Sequence, residues 1–180
     1  MNKFYDPNDA VNWLKKGKLL IHPTEGVWGI GCDAFNASAV KKINSLKQRE
    51  ASKSLILLAS SISDALGYFQ PLSEQKTKFL DTVWPGHTTV IYKKNKLIPR
   101  HLNTVNNTIA LRVSNHKPIK DLLALFDNLM VSTSANISNL PTPVNQEEVM
   151  KIFIDPDVAI YCFENGGSLK PSAIIDLNTM

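Results

Sequence analysis

Three cationic side chains lie within seven residues of one another, at Lys47, Arg49 and Lys53. They follow a helical pattern and precede an apolar run, so the sequence predicts a basic loop between a helix and a strand. Like charges this close repel one another unless water or a bound anion neutralises them. The basic loop is therefore either a solvated surface loop or a site for an anionic ligand such as phosphate.

A fourth cation, Arg112, falls inside the apolar run 108–113, which predicts a strand. A guanidinium group is costly to bury unless it is paired. Its planar fork suits two-point binding of a carboxylate or a phosphate. The sequence leaves two partners open, an internal Asp or Glu and an anionic ligand.

Small polar side chains follow two other apolar runs. The segment 132–136, Ser-Thr-Ser-Ala-Asn, comes directly after the predicted strand 129–131, and Thr24 comes shortly after the run 19–21. Ligands of α/β sheets usually bind beyond strand ends, so these groups predict a polar crevice that accepts anions. A helix cap or a Ser/Asn turn is the alternative for 132–136.

The stretch 18–58 must position two of these groups. Its pattern predicts a strand over 18–21, a polar turn, a helix, the basic loop and a second strand over 55–58. Gly29 and Gly31 fall in the predicted turn, where glycine allows close approach of the backbone.

Helices and strands alternate through the rest of the chain. Further helices are predicted before Gly17, before Pro71 and at 73–81, 118–126 and 145–153, and further strands at 88–92, 108–113, 129–131, 159–163 and 173–177. This alternation, without repeats or linkers, predicts a single α/β domain over 1–180 with a mixed sheet and flanking helices.

Composition narrows the class of protein. The chain has 180 residues, of which 43% are hydrophobic and 20% charged, as in an ordinary soluble globular protein. No apolar run approaches the about 20 residues that span a bilayer, and the N-terminus lacks the apolar segment of a signal peptide. We therefore expect a cytoplasmic protein without a membrane contact. The net charge of +4 permits an anionic substrate or RNA and demands neither.

Several kinds of site are not indicated. Cys32 and Cys162 form no disulfide framework and are expected to be reduced core thiols. The four histidines have no metal-ligand spacing with cysteines or carboxylates, so no protein-bound metal is expected. There is neither a Walker A sequence nor a dinucleotide-binding glycine motif.

The motifs resemble those of a known family. HPTEGVWGIGCDA resembles the YPTE-x-VxGLGCDA motif of the YrdC family, and STSANISNLP resembles its STSAN-x-SG-x-P. Four further segments resemble motifs of this family. KQREASKSLILL is similar to its K-x-R-P-x-x-K-P-L segment, and WPGHTT is similar to its WPGP-x-T segment. IALRV is similar to its arginine strand, and GGSLKPSAIIDL is similar to its late GG…STVVD segment. The matches occur in order over 19–177, and the chain resembles the short, single-domain type of this family.

The resemblance implies a fold and an activity. The fold would be a twisted α/β sheet with a wide, basic concave face. L-threonine, bicarbonate and ATP would give threonylcarbamoyl adenylate and pyrophosphate, the first step of the t6A modification of tRNAs that read ANN codons. Mg²⁺ would travel with ATP. Partner enzymes of the TsaB, TsaD and TsaE type would transfer the threonylcarbamoyl group to tRNA.

The resemblance also implies roles for particular residues. Lys47 and Arg49 would be the catalytic cations. The residues expected to bind ATP are Lys47, Arg49, Lys53, Thr108, Ser134, Asn136 and Thr142. The residues expected to hold threonine or its carbamate are Thr24, Arg112, Ser132 and Ser172, with Arg112 as the carboxylate partner.

The chain departs from the family pattern at several positions, namely His22, Glu50, Ser54, His87, Asn139 and Ala173. Glu50 places a carboxylate beside the predicted phosphate cations. At an effective dielectric constant of ~20, a like charge ~6 Å from a phosphate costs a few kcal/mol at most. We therefore expect weaker ATP binding rather than none.

Two other functions fit parts of the sequence. A basic concave face could hold double-stranded RNA or tRNA by its backbone, and a regulatory sensor of threonine or nucleotide would bind both ligands without turnover. Thr24, Ser134 and Asn136 favour the enzyme, because a cleft for a phosphate backbone does not need such small-ligand groups.

Overall fold

The structure is a computed structural model that describes residues 1–50, 53–102 and 105–180. Within these ranges nine strands form one sheet: β1 (Asn2–Phe4), β2 (Leu19–His22), β3 (Gly29–Asp33), β4 (Ile56–Leu58), β5 (Thr88–Lys93), β6 (Thr108–Arg112), β7 (Met130–Ser134), β8 (Val158–Tyr161) and β9 (Ala173–Asp176). The helices are α1 (Pro7–Lys15), α2 (Ala37–Leu46), α3 (Ile62–Leu66), α4 (Glu74–Val83), α5 (Lys117–Leu125) and α6 (Gln146–Ile152). Part of the predicted basic loop, residues 51 and 52, lies outside the described residues.

The sheet is mixed, as predicted. Its strand order is β1-β8-β2-β3-β7-β4-β6-β5-β9. The pairs β1–β8, β2–β8, β4–β6 and β5–β9 are parallel, while β2–β3, β3–β7, β4–β7 and β5–β6 are antiparallel. β8 therefore lies between two strands from the beginning of the chain.

Polar caps fix the starts of α1 and α2. The Asp6 side chain accepts a hydrogen bond from the Asn8 amide at 2.7 Å, and Pro7 occupies the first helical position of α1. Asn36 caps α2 at 3.0 Å from the Ala39 amide. Such caps satisfy backbone donors that the first helical turn leaves unpaired.

Apolar side chains cover both faces of the sheet. In β2, Leu19 and Ile21 belong to one core cluster and Leu20 to the other, as the alternation of side chains along a strand requires. The second cluster contains the buried face of α1, including Leu14, and that of α5, including Leu122. Burying each such side chain stabilises the fold by about 1.5–3 kcal/mol, so the strands form a firm platform.

Two strands were not predicted, and each has a physical reason. β1 is a short, polar edge strand without a periodic pattern. β3 contains Gly29 and Gly31, which disfavour a strand when judged locally. Both glycines are needed for space: a Cβ atom at Gly29 would lie 2.5 Å from the His22 ring, and one at Gly31 would lie 2.2 Å from the Val131 oxygen. The predicted polar turn is therefore partly a strand.

Two further findings concern the cysteines and the possibility of a membrane-spanning helix. Cys32 and Cys162 are free and buried, as expected. Among the described residues, no helix is both long enough and apolar enough to cross a membrane.

Candidate functional site

A cavity of about 360 Å³ lies over the part of the sheet from β3 to β9 and is lined from several strands. Its wall contains three cations, Arg49, Arg112 and Lys170. No Asp or Glu is among the described residues that line it. Six of the predicted site residues line the cavity: Thr24, Arg49, Arg112, Ser132, Ser134 and Ser172. The geometry therefore gathers hydroxyls and positive charge around one space, which suits an anionic ligand.

Thr24 lies in a turn that a later segment covers. Its Oγ1 donates to the Val27 oxygen at 2.7 Å and accepts from the Gly26 amide at 3.0 Å. The Thr24 amide donates to Asn165 Oδ1 at 3.0 Å, and the Gly166 amide donates to the Thr24 oxygen at 2.8 Å. One wall of the cavity is thus formed by two loops far apart in sequence.

Gly26 is required for this contact between the loops. A Cβ atom at Gly26 would lie 1.9 Å from the Lys170 backbone oxygen. Any side chain at Gly26 would therefore push away the segment that carries Lys170 and Ser172.

Arg112 has an internal partner. Its Nη2 donates to Glu25 in a buried ion pair, and its Nε donates to the Gly86 oxygen at 3.2 Å. The other Glu25 oxygen accepts from Ser114 Oγ and from the Asn115 amide, each at 2.9 Å. Burial lowers the pKa of Arg112, while the Glu25 carboxylate raises it. Of the two partners that the sequence left open, the internal carboxylate is present, and it holds the guanidinium in the cavity wall.

Lys47 is buried beneath the segment 134–138 and is not among the lining residues. Its Nζ donates to the Ser134 oxygen at 2.5 Å and to the Asn136 oxygen at 2.6 Å. Its own backbone oxygen accepts from the Ser138 amide at 2.8 Å. Burial, and secondly the charge of Arg49, lower the pKa of Lys47 to about 8. Lys47 therefore positions this segment, including the Ser134 that lines the cavity.

Arg49 is the cation of the basic loop that reaches the cavity. Its Nη2 donates to the Ser54 oxygen at 2.8 Å, and its buried Nε has no partner among the described residues. Gln48, directly before it, adopts a left-handed backbone with φ of 50°. Lys53 is exposed and does not line the cavity.

The remaining predicted residues occupy different places. Ser172 Oγ lies 2.8 Å from Thr89 Oγ1 in the cavity wall. Thr108 begins β6 and donates to the Val105 oxygen at 2.7 Å, away from the lining. Asn136 accepts from Ser134 Oγ at 2.7 Å, and together with Thr142 it lies outside the lining.

Ser132 is bonded to a buried histidine. His22 is fully buried, and its Nδ1 lies 3.0 Å from the Pro23 oxygen while its Nε2 lies 3.3 Å from Ser132 Oγ. Burial is the main cause that lowers the pKa of His22 to about 4. The ring is therefore neutral at pH 7.

Several lining residues were given no role from the sequence. His87 follows the cis Trp84–Pro85 bond, and burial and then Arg112 lower its pKa. Lys170 enters the wall with the loop that precedes β9. The segment WPGHTT around His87 resembles a motif of the YrdC family, but a single sequence does not show which side chains meet across the sheet.

The chain can now be compared with known proteins. A model of the Sua5, YciO and YrdC proteins, described as telomere recombination, matches residues 12–180. The chain belongs to this family. Over 172 residues it is 36% identical to the threonylcarbamoyl-AMP synthase of Vibrio parahaemolyticus, a match that covers 94% of this chain and 93% of the relative. It is also 36% identical to that of Buchnera aphidicola, over 98% of this chain and 95% of the relative.

Solved structures agree in fold. Sua5 of P. abyssi complexed with L-threonine has a TM-score of 0.87 and 27% identity, over 98% of this chain and 53% of that one. YciO of E. coli has a TM-score of 0.84 and 26% identity, over 95% of this chain and 83% of that one. The chain therefore spans about half the length of Sua5, and the resemblance inferred from the motifs is confirmed.

Proposed function

We propose that this chain is a threonylcarbamoyl-AMP synthase. It combines L-threonine, bicarbonate and ATP into L-threonylcarbamoyladenylate and pyrophosphate, for the t6A modification of tRNAs that read ANN codons. The observation that carries this proposal is the cavity, which gathers three cations and several hydroxyls without a carboxylate in its described lining. Relatives that match nearly the whole chain and bear this name support it.

The reaction needs alignment of anions more than it needs acid–base chemistry. The threonine nitrogen forms a bond to the carbon of bicarbonate, from which water leaves. The carboxylate of the resulting carbamate then attacks the α-phosphate, so that a new oxygen–phosphorus bond forms and the bond to pyrophosphate breaks. Both reactants are anionic, so fixed cations lower their repulsion and stabilise charge in the transition state. Arg49 faces the triphosphate, and Arg112, held by Glu25, faces the carboxylate of threonine.

The other assigned residues divide between the two substrates. Thr24, Ser132 and Ser172 hold threonine or its carbamate beside Arg112. Lys47, Lys53, Thr108, Ser134, Asn136 and Thr142 belong to the ATP side. Lys47 contributes to ATP binding indirectly, because its ammonium group holds the backbone of Ser134 and Asn136 in place.

Magnesium would enter with the nucleotide. Within the described ranges, no group of three or more His, Cys, Asp or Glu side chains could hold a metal ion. The phosphates of ATP would therefore supply its ligands, and the ion would neutralise part of their charge. Enzymes of the TsaB, TsaD and TsaE type would accept the product and transfer its acyl group to tRNA.

The test is turnover of the purified chain. It is incubated with ATP, Mg²⁺, L-threonine and bicarbonate, while pyrophosphate and the adenylate are followed by chromatography. We expect pyrophosphate release that requires both threonine and bicarbonate. Release that requires neither, or no release at all, would refute the proposal. A protein that only binds RNA would release no pyrophosphate, and its affinity for RNA would fall steeply as the salt concentration rises.

A further inference from the structure

His22 and Ser132 lie on two strands that are not neighbours. His22 ends β2 and Ser132 lies in β7, with β3 between them. The ring crosses β3 above its two glycines, and a Cβ atom at Gly29 would lie 2.5 Å from it. The contact between His22 and Ser132 therefore exists only because β3 leaves room for the ring.

The hydrogen bonds of His22 fix where its proton lies. A carbonyl oxygen can only accept, so Nδ1, at 3.0 Å from the Pro23 oxygen, must carry hydrogen. In a neutral imidazole Nε2 then has a lone pair, and Ser132 Oγ, at 3.3 Å, must donate to it. Burial keeps the ring neutral, since the pKa of His22 is lowered to about 4.

We infer that His22 is a positioning residue that directs the Ser132 proton away from the cavity, so that Ser132 meets its ligand only as a hydrogen-bond acceptor. A serine hydroxyl ordinarily rotates and can donate or accept. Here its one hydrogen is engaged, which leaves only its lone pairs for a ligand in the cavity that Ser132 lines. The ligand atom opposite Ser132 must therefore carry hydrogen, as an ammonium, N–H or O–H group does.

This inference deepens the proposed function and rests on it for the choice of ligand. Arg112 in the same wall attracts a carboxylate, whereas Ser132 favours a hydrogen-bond donor of the same molecule. L-threonine offers both kinds of group, because its amine and its hydroxyl carry hydrogen. The threonine site then has a hydrogen-bond acceptor at Ser132 and a cation at Arg112. By keeping Ser132 an acceptor, His22 helps the site to select an amino acid.

The first test observes the histidine directly in the wild-type chain. Nitrogen-15 NMR of histidine-labelled protein at pH 7 distinguishes a protonated ring nitrogen from one with a lone pair. We expect His22 to be protonated at Nδ1 and unprotonated at Nε2, with assignment by comparison with His22→Gln. Protonation at Nε2 would overturn the inference, whether or not the chain makes threonylcarbamoyladenylate.

The second test uses two amides that replace different ring nitrogens. The oxygen of His22→Gln can take the place of Nε2 and accept from Ser132, whereas His22→Asn can keep only the bond to Pro23. We expect the KM for L-threonine to stay within about threefold for His22→Gln. For His22→Asn and Ser132→Ala it should rise about tenfold, as loss of one hydrogen bond predicts, with the KM for ATP unchanged.

The double variant His22→Asn with Ser132→Ala separates positioning from simple support of the fold. If His22 acts through Ser132, the double variant should resemble Ser132→Ala alone. Additive losses, or an equal rise of the KM for ATP, would contradict the inference. Binding of L-threonine by calorimetry gives the same comparison without turnover, so failure of the synthase activity would be recognised separately.

Discussion

One buried histidine should make this protein less stable in acid. The pKa of His22 is lowered to about 4, first by burial and also by the charges of Arg112 and His116, while Glu25 and the Pro23 oxygen raise it. The unfolded chain binds the proton near the ordinary histidine pKa of about 6.5. Because the folded pKa is lowered, the stabilising effect is complete above about pH 6.5 and is lost as pH falls toward the folded pKa.

The size of the effect follows from these two values. Between pH 7.5 and pH 4.5, proton binding to the unfolded state should remove about 2.5 kcal/mol of unfolding free energy. That is about a sixth to a half of the 5–15 kcal/mol by which domains are ordinarily stable. His22→Gln cannot titrate, so its unfolding free energy should fall by about 2.5 kcal/mol less over the same range.

Urea unfolding followed by tryptophan fluorescence measures this difference, since Trp13, Trp28 and Trp84 are buried. Wild type and His22→Gln are compared at pH 7.5 and pH 4.5, so that other titrating groups cancel. His101→Gln, in the short helical turn Arg100–Leu102, controls for the loss of a different histidine. Equal acid losses in wild type and His22→Gln would refute the argument from burial.

Three further variants test the site. Glu25→Ala should cost about 3 kcal/mol of stability in urea unfolding, because it leaves the Arg112 guanidinium buried without its carboxylate. Lys47→Met should cost about 2 kcal/mol and should weaken ATP binding measured by calorimetry, because two backbone oxygens lose their donor. Arg49→Ala should lower kcat/KM for pyrophosphate release by about a hundredfold, as expected for loss of a charged contact, and should leave the melting temperature unchanged.

Matched controls separate these effects from a change of net charge. Lys41→Met removes an exposed lysine from the same helix that precedes Lys47, and Arg100→Ala removes an exposed arginine away from the cavity. Neither should change stability or kcat/KM appreciably. If Lys47→Met behaves like Lys41→Met, its buried hydrogen bonds contribute nothing; if Arg49→Ala behaves like Arg100→Ala, Arg49 lies outside the site.

The sequence predicts local features well because their causes are local. The patterns that predict helices at 118–126 and 145–153 each lie within a few neighbouring residues, and the structure has both helices, as α5 (Lys117–Leu125) and α6 (Gln146–Ile152). The mixed sheet follows from the alternation of patterns. The sequence also predicts that Arg112 needs an anionic partner, because a guanidinium group inside an apolar strand is costly to bury unpaired.

What the sequence did not predict depends on contacts between distant segments. β3 is a strand because its glycines leave room for the His22 ring and for the Val131 backbone. Neither contact can be predicted from the strand propensities of the residues in β3. Lys47 was expected to face a phosphate, yet its ammonium lies against the backbone of 134–136, since only the packing of α2 decides its direction. Lys170 enters the cavity by a loop whose position depends on Gly26.

The place of β8 in the sheet has a consequence for synthesis on the ribosome. β1 and β2 are made well before β8, Val158–Tyr161, yet each of them pairs with it. Until β8 emerges, both early strands expose unpaired edges, which are the surfaces on which nascent chains associate wrongly. We therefore expect β1 and β2 to complete their pairing only after β8 has been translated, and to depend on chaperones that shield strand edges during that interval.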